Sequence, residues 1–321
     1  MGSILGATVS AYLVILLGLA LASREFVSKD FWTAAQKLNY FVFLPVLFAH
    51  TLATAEFEGL RVVGLILGVA ATLTLGGLTV GLWRRRTETR PDLTPAVVEG
   101  ALRSNVPLGL TVAFVLSNSA GLTLFVVAAA VYLPCVVVIG AFATDRAARR
   151  AEEDANGVFD DGEPGSPFAT AMGVLVRNPI IIGAAVGVLL NITGAGLSGG
   201  FGTMVGAVGM AALPVGVLAA GAGLDLARAG AALETFRAQI QVALVIKLVA
   251  MPIVAAIVGA VFGLSGLTYA TLVLLAALPG VVPRFTAVQS DEDGQSFLSG
   301  TTNTAMVAAF ISLPLALWIL T

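Results

Sequence analysis

The sequence predicts an all-α integral membrane protein with ten transmembrane helices arranged as two inverted five-helix repeats, in which broken helices 4 and 9 cross. Three observations carry this expectation. The composition is that of a chain bathed in lipid, the apolar stretches have membrane length, and short proline motifs of the first half recur in order in the second.

Of 321 residues, 58% are hydrophobic and only 11% charged, with a mean hydropathy of +0.96. A soluble domain keeps roughly a quarter of its residues charged, and surface-to-volume scaling excludes a single oversized core at this length. The net charge of −2 is too small to imply a polyanionic partner, so no nucleic acid is expected. One cysteine, Cys135, cannot close an intrachain disulfide and reads as a small apolar residue of a membrane helix.

A helix crossing about 30 Å of hydrocarbon needs roughly 20 mainly apolar residues. On that measure the spans fall at 4–22, 38–55, 62–83, 95–116, 122–142, 178–194, 201–222, 239–262, 267–289 and 297–320. The first has no basic residue ahead of it, so it reads as a helix and not as a cleaved signal, although Ala20-Leu21-Ala22-Ser23 imitates a cleavage site. The sixth is the shortest, and residues 167–177 form an interfacial lead-in to it. One connection is long: 144–166 is charged, lacks apolar periodicity, and reads as a mobile linker between a first repeat (1–143) and a second (167–321). Asp154, Asn156, Asp160 and Asp161 in that linker imitate a calcium loop. Val158 takes a ligand position and no glycine stands at the turn, so a solvated acidic loop is expected.

Basic residues orient the chain. With ten alternating spans, Arg24, Lys29, Lys37, Arg84, Arg85, Arg86, Arg90, Arg146, Arg149, Arg150, Arg228 and Arg237 fall on one side, and Arg61 alone on the other. Lys and Arg concentrate in cytoplasmic connections. This multi-pass protein of the cell membrane is therefore expected to have a cytoplasmic linker and both termini outside.

The repeat rests on three matches. Leu44-Pro45-Val46 returns as Leu213-Pro214-Val215, Ala101-Leu102-x-x-x-Val106-Pro107 as Ala277-Leu278-x-x-x-Val282-Pro283, and Leu133-Pro134 as Leu313-Pro314. The offsets are 169, 176 and 180 residues, and the matches fall in corresponding spans. Five helices per repeat is an odd number, so the copies enter the membrane from opposite sides, the plan of many secondary transporters.

The same motifs locate a candidate site. Proline inside a helix leaves a carbonyl without a partner, tolerated in lipid where protein or a water-filled cavity satisfies it. Span 4 reads Arg103-Ser104-Asn105-Val106-Pro107, and span 9 reads Pro279-Gly280-Val281-Val282-Pro283-Arg284. If both breaks meet at mid-membrane, half-helix N-termini there attract an anion. Arg103 and Arg284 flank the breaks, and ionisable groups at such depth are functional candidates. Glu99 lies one turn before Arg103, so a structural ion pair and a substrate contact remain equal readings of Arg103. Arg284 has the alternative of snorkelling toward Asp291-Glu292-Asp293. Lys247 in span 8 is a candidate for countering an acidic group or standing in for a bound cation. His50, the only histidine, either carries protons or, as the stronger reading, hydrogen-bonds across helices. Asn178-Pro179 has the pattern of a helix cap. Asn191-Ile192-Thr193 is a glycosylation sequon, meaningful only in a eukaryotic secretory pathway.

On these residues the chain resembles the auxin efflux carrier family, which includes plant PIN-type carriers and prokaryotic malate permease-like proteins. Asn39 through Pro45 resembles that family's second helix, Gly100 through Asn105 its fourth, Arg177 through Ile181 its sixth, Pro214 through Gly221 its seventh, and Leu278 through Pro283 its ninth. The likeness covers nearly the whole chain. It implies the fold of bile acid/sodium symporters, with helices 1, 2, 6 and 7 as a scaffold and helices 3–5 and 8–10 as a transport domain moving like an elevator. It also implies a small organic anion as substrate, bound at the crossing of helices 4 and 9, with Asn105 and Pro107 on one side and Pro279, Val282 and Pro283 on the other. The chain departs from the plant pattern in that its span-9 prolines stand one residue closer and Arg284 follows them, so the substrate's identity is not carried over.

The expected partners are that anion and the lipid bilayer, with a homodimer through the scaffold helices left open. No cofactor is expected, and no metal site. A membrane enzyme would need a paired-carboxylate, a His-rich site or a nucleophile with its base, and the spans carry none. The resemblance implies a carrier acting as an exporter; the alternatives are an anion channel and a non-transporting sensor of the same fold.

Overall fold

The computed structural model describes residues 2–57, 61–86, 93–156, 166–197, 199–280 and 292–321. Every regular element among them is helical. Six helical stretches are long and apolar enough to cross a bilayer: Gly2–Ser23, Val62–Trp83, Ala96–Asp145, Gly199–Ala222, Leu226–Val261 and Asp293–Leu320. The pair Pro167–Leu175 and Pro179–Thr193, bent by 69°, is apolar enough to make a seventh crossing if it forms one span. The chain is thus a multi-pass, all-helical membrane protein.

In chain order the helices are α1 (Gly2–Ser23), α2 (Lys29–Leu38), α3 (Leu44–Ala53), α4 (Val62–Arg86), α5 (Thr94–Leu102), α6 (Val106–Asn156) and α7 (Pro167–Leu175). There follow α8 (Pro179–Thr193), α9 (Gly199–Met210), α10 (Ala212–Ala222), α11 (Leu226–Val245), α12 (Met251–Val261), α13 (Gly266–Ala277) and α14 (Glu292–Leu320). Two π-helical turns, Asn39–Phe43 and Ile246–Ala250, join α2 to α3 and α11 to α12.

The 50 residues of Ala96–Asp145 would run about 75 Å as one straight helix, far more than a bilayer core. They are divided twice. Residues 103–105 leave the helix between α5 and α6, and inside α6 the chain folds back at Ser117 (φ −146°, ψ 24°) and Asn118 (φ 49°, ψ −136°). The reversal is tight enough that a Cβ on Gly121 would strike the Ala113 carbonyl. This is where the sequence separates spans 4 and 5.

Three connections differ from expectation. The chain between spans 1 and 2 is helical from Lys29, with Ser28 Oγ accepting the Phe31 N–H at 3.2 Å. The approach to span 8 is also helical from Leu226, capped by Asp225 Oδ1 on the Arg228 N–H at 2.9 Å, and it bends at Phe236 (φ −121°) before the apolar stretch begins. The linker 144–166 was expected without structure, yet α6 continues through Asn156. Its Ala, Arg and Glu residues are strong helix formers, which outweighs the missing apolar stripe. Asp160 and Asp161 of the rejected calcium pattern lie outside the described residues.

Packing follows the small residues. α1 lies on α10 and α3 on α8 and α9, while α11 packs on α14, α12 on α13 and α4, and α4 on α6. Where α1 meets α10, a Cβ on Gly18 would strike the Leu218 carbonyl and one on Gly221 the Ile15 carbonyl. Gly183 and Gly187 of α8 stand as closely against the backbone at Pro45 and Ala49 of α3. Lipid tails offer helices no hydrophobic drive to associate, so backbone-to-backbone approach of this kind supplies the attraction. Asn191, the sequon residue, donates its side-chain amide to the Ala53 and Ala55 carbonyls at 3.3 and 3.0 Å, tying α8 to the end of α3. Tyr12 of α1 reaches the Met306 carbonyl of α14 at 3.0 Å, and Arg61 caps the end of α12 at the Gly263 carbonyl.

The Asn178 cap forms as the sequence indicates, with Oδ1 accepting from the N–H groups of Ile180 and Ile181 at 3.0 and 3.4 Å. Asn178→Ala is expected to cost about 1 kcal/mol. A lowered thermal midpoint in detergent, restored by Asn178→Asp, is the check.

Candidate functional site

The two sequence breaks lie against each other. α5 ends at Leu102 and Arg103 turns to extended backbone (φ −65°, ψ 143°); α13 ends at Ala277 and Leu278 does the same (φ −61°, ψ 140°). The Asn105 N–H donates to the Pro279 carbonyl at 2.8 Å. Ser104 Oγ donates to the Leu275 carbonyl at 2.9 Å. Gly280 faces the same break, with its hypothetical Cβ 3.5 Å from the Arg103 carbonyl. Each broken helix thus satisfies backbone groups that the other has freed, which is the condition for irregular backbone at this depth. Val281, Val282, Pro283 and Arg284 lie outside the described residues.

A cavity of about 920 Å³ opens beside this crossing. Arg103, Ser104, Asn105, Val106, Pro107 and Gly280 all line it. Asn105 serves as the N-cap of α6, its Oδ1 accepting the Leu108 N–H at 3.1 Å, so the positive end of that helix stands at the cavity wall. Its Nδ2 is buried without a partner among the described residues. The opposite wall belongs to the end of α2, the π turn after it and α10, through Gln36, Asn39, Tyr40 and Gly216. A Cβ at Gly216 would come within 2.6 Å of both Pro107 Cβ and Asn39 Nδ2, so only glycine lets these walls approach. Gly223, Asp225, Arg228 and Gln295, where α10 passes into α11 and where α14 begins, also line the cavity, and of these Arg228 and Gln295 are exposed. Asp225 and Arg228 make an exposed ion pair there at 3.8 Å, of small energetic weight. Gln36 Nε2 reaches the Ala219 carbonyl at 3.2 Å, and Asn303 Oδ1 accepts the Asp225 N–H at 3.2 Å.

Of the two sequence readings of Arg103, the ion pair is the one observed. Arg103 pairs with Glu99 at 2.7 Å, yet its side chain keeps 22% exposure and lines the cavity. Glu99 is buried, and among the described residues its Oε2 and Arg103 Nε have no hydrogen-bond partner. Lys247 is 1% exposed and donates from Nζ to Ser104 Oγ at 2.8 Å, a partner 143 residues away that the sequence does not reveal. His50 stands elsewhere. It packs against Gly206 of α9 and is not among the residues lining the cavity.

The π turns explain how two polar side chains come to face the crossing. Each ends one residue short of a Leu-Pro or Met-Pro step, at Pro45 and Pro252, whose missing N–H would break the α-helical ladder. A π turn widens the helix and re-aims its side chains, which is why such turns gather at functional positions. Asn39 begins the first turn and Lys247 is the second residue of the other. Sequence reading named Lys247 but missed Asn39, Tyr132 and the polar face of α14. For α14 the signal was present: Ser296, Ser299, Thr302 and Asn303 recur at helical spacing within an otherwise apolar span, and all four line the cavity.

Compared with known proteins, the chain matches the family model described as membrane transport protein over residues 3–319. No curated protein matches it.

Proposed function

Given that the chain belongs to the membrane transport protein family, the auxin efflux carrier or PIN-like family, we propose that it is a secondary carrier of a small organic anion. The carboxylate binds where spans 4 and 9 cross and moves by elevator-type alternation, with export as the working direction. The observation that carries this reading is the Asn105–Pro279 hydrogen bond, which joins two helix breaks at the wall of a 920 Å³ cavity. A capped helix N-terminus and the Arg103 guanidinium at that wall suit an anion, whose charge is stabilised by aligned N–H groups and by a fixed cation.

In this reading ten spans form two inverted repeats. The contacts of α1 with α10 and of α3 with α8 and α9 suit a scaffold, and those among α4, α6 and α11–α14 suit a transport domain. The cavity takes one wall from each group, as a substrate site carried past a fixed scaffold requires. The exposed lining residues Arg228 and Gln295 stand in connections on the side that carries nearly all the Lys and Arg of the expected loops, which suits a state open to the cytoplasm with both termini outside.

The test is thermal stabilisation of the purified protein by dicarboxylates, aromatic acids and amino acids. At least one acid is expected to raise the unfolding midpoint in proportion to the logarithm of its concentration, and Arg103→Ala is expected to remove the effect. Stabilisation that survives Arg103→Ala undiminished would move the site away from the crossing.

A further inference from the structure

We propose that Lys247 is the coupling group of this carrier: it takes up a proton when an anion binds at the crossing and gives it up when the anion leaves, so that anion and proton travel together. The inference rests on the carrier reading above and adds the ion that moves with the substrate.

The argument is one of charge balance. Glu99 and Arg103 already neutralise each other at 2.7 Å. Lys247 has no such partner among the described residues. Its Nζ adjoins a cavity of only about 10 Å³, lined by Val69, Thr72 and Leu73 of α4, Leu102 of α5, Met251 of α12 and three residues of α13. Ser104 and Tyr132 complete the lining, and Tyr132 is the other titratable group in it. Charged groups on the remaining neighbours lie elsewhere. Arg228, Glu234 and Arg237 of α11 are exposed, Glu292 and Asp293 stand in the first turn of α14, and Tyr269 of α13 donates to the Ala256 carbonyl. Among the described residues an ammonium in this place therefore has no counter-charge within its own shell, and a buried charge without one is costly.

An anion at the crossing supplies that counter-charge. Ser104 holds the two events together, because it accepts from Lys247, donates to the Leu275 carbonyl of the second break, and sits next to Asn105. Ser104 and Tyr132 line both the small cavity and the large one, so their hydroxyls form the partition between Nζ and cavity water. A proton passes from that water to the amine as the anion docks, and returns to water on the side where the anion departs. Linkage is reciprocal: if the anion favours the protonated amine, the proton raises anion affinity by the same factor. With a monovalent anion the loaded carrier moves no net charge. Net export then runs on the substrate's own concentration gradient, opposed and not assisted by an inward proton gradient.

The experiment measures proton uptake on ligand addition to weakly buffered protein in nanodiscs, using lactate, benzoate and phenylacetate between about pH 6 and 9, where these acids are ionised and contribute no proton themselves. Wild type is expected to take up protons, approaching one per bound anion at the optimum pH. Lys247→Met is expected to bind on the order of tenfold more weakly with no uptake. Lys247→Arg keeps a fixed cation that does not titrate, so it is expected to bind at least as well as wild type, again with no uptake; this second variant separates lost coupling from a damaged fold. Binding to wild type without proton uptake across the whole range overturns the inference and leaves the carrier reading standing. Uptake that persists in both variants overturns the assignment to Lys247. If none of these three binds, the acid that the stabilisation screen identifies takes their place, and if no acid in that screen binds, the carrier reading falls and the inference falls with it.

Discussion

Asn105→Asp is expected to lower transport of an organic anion by about a hundredfold or more while the protein inserts and unfolds like the wild type. The substitution is chosen because it is gentle everywhere except in charge. Asn105 Oδ1 caps α6 through the Leu108 N–H at 3.1 Å, and aspartate presents the same oxygen to the same donor. The backbone bond to the Pro279 carbonyl is untouched. What changes is that a carboxylate replaces a buried amide donor at the cavity wall, so an arriving anion meets a like charge, a penalty of several kcal/mol at close range. Uptake of labelled substrate into proteoliposomes is the measurement, with the unfolding midpoint of the same sample as control. Transport at the wild-type rate would place the anion away from the crossing.

Gly221→Leu has the largest expected effect on stability. The glycine lets α10 touch α1 backbone to backbone, and the atom that a side chain would strike is the Ile15 carbonyl. A flexible neighbour can rotate aside, but a helix backbone cannot, so overpacking here is expected to cost about 3 kcal/mol or more. Gly230 of α11 is the control, because a Cβ there meets nothing within 4 Å and Leu is the better helix former. Thermal unfolding in nanodiscs should show Gly221→Leu far below wild type and Gly230→Leu at or above it. Equal midpoints for the two variants would mean that the α1–α10 contact does not hold the helices together.

The contrast between these sites shows what a sequence of this kind discloses. The helix breaks were legible because proline and glycine act locally: Ala101-Leu102 and Ala277-Leu278 mark the ends of α5 and α13 within a residue. The membrane character was legible because apolar length against bilayer thickness is a one-dimensional quantity. Helicity in the connections at Lys29 and Leu226 was missed, since neither lies in a stretch apolar enough to count as a span. The site's chemistry was the least visible part. Ser104 meets Leu275 and Lys247 across 171 and 143 residues, and no local pattern announces such partners. The Glu99–Arg103 pair, one helical turn apart, was offered by spacing alone as one of two equal readings, and it forms. His50 drew attention for its chemistry, but its position against Gly206 is set by how α3 meets α9, which sequence does not specify.

Alternating access at the crossing is tested most directly by counterflow. Proteoliposomes are loaded with an unlabelled anion that the stabilisation screen identifies, then diluted into a trace of the same anion carrying a label. A carrier returns loaded faster than empty, so label is expected to accumulate transiently inside above its external concentration, and Asn105→Asp is expected to abolish the overshoot. Label that only equilibrates, with no overshoot at any loading, would show a pore in place of a carrier and contradict the account.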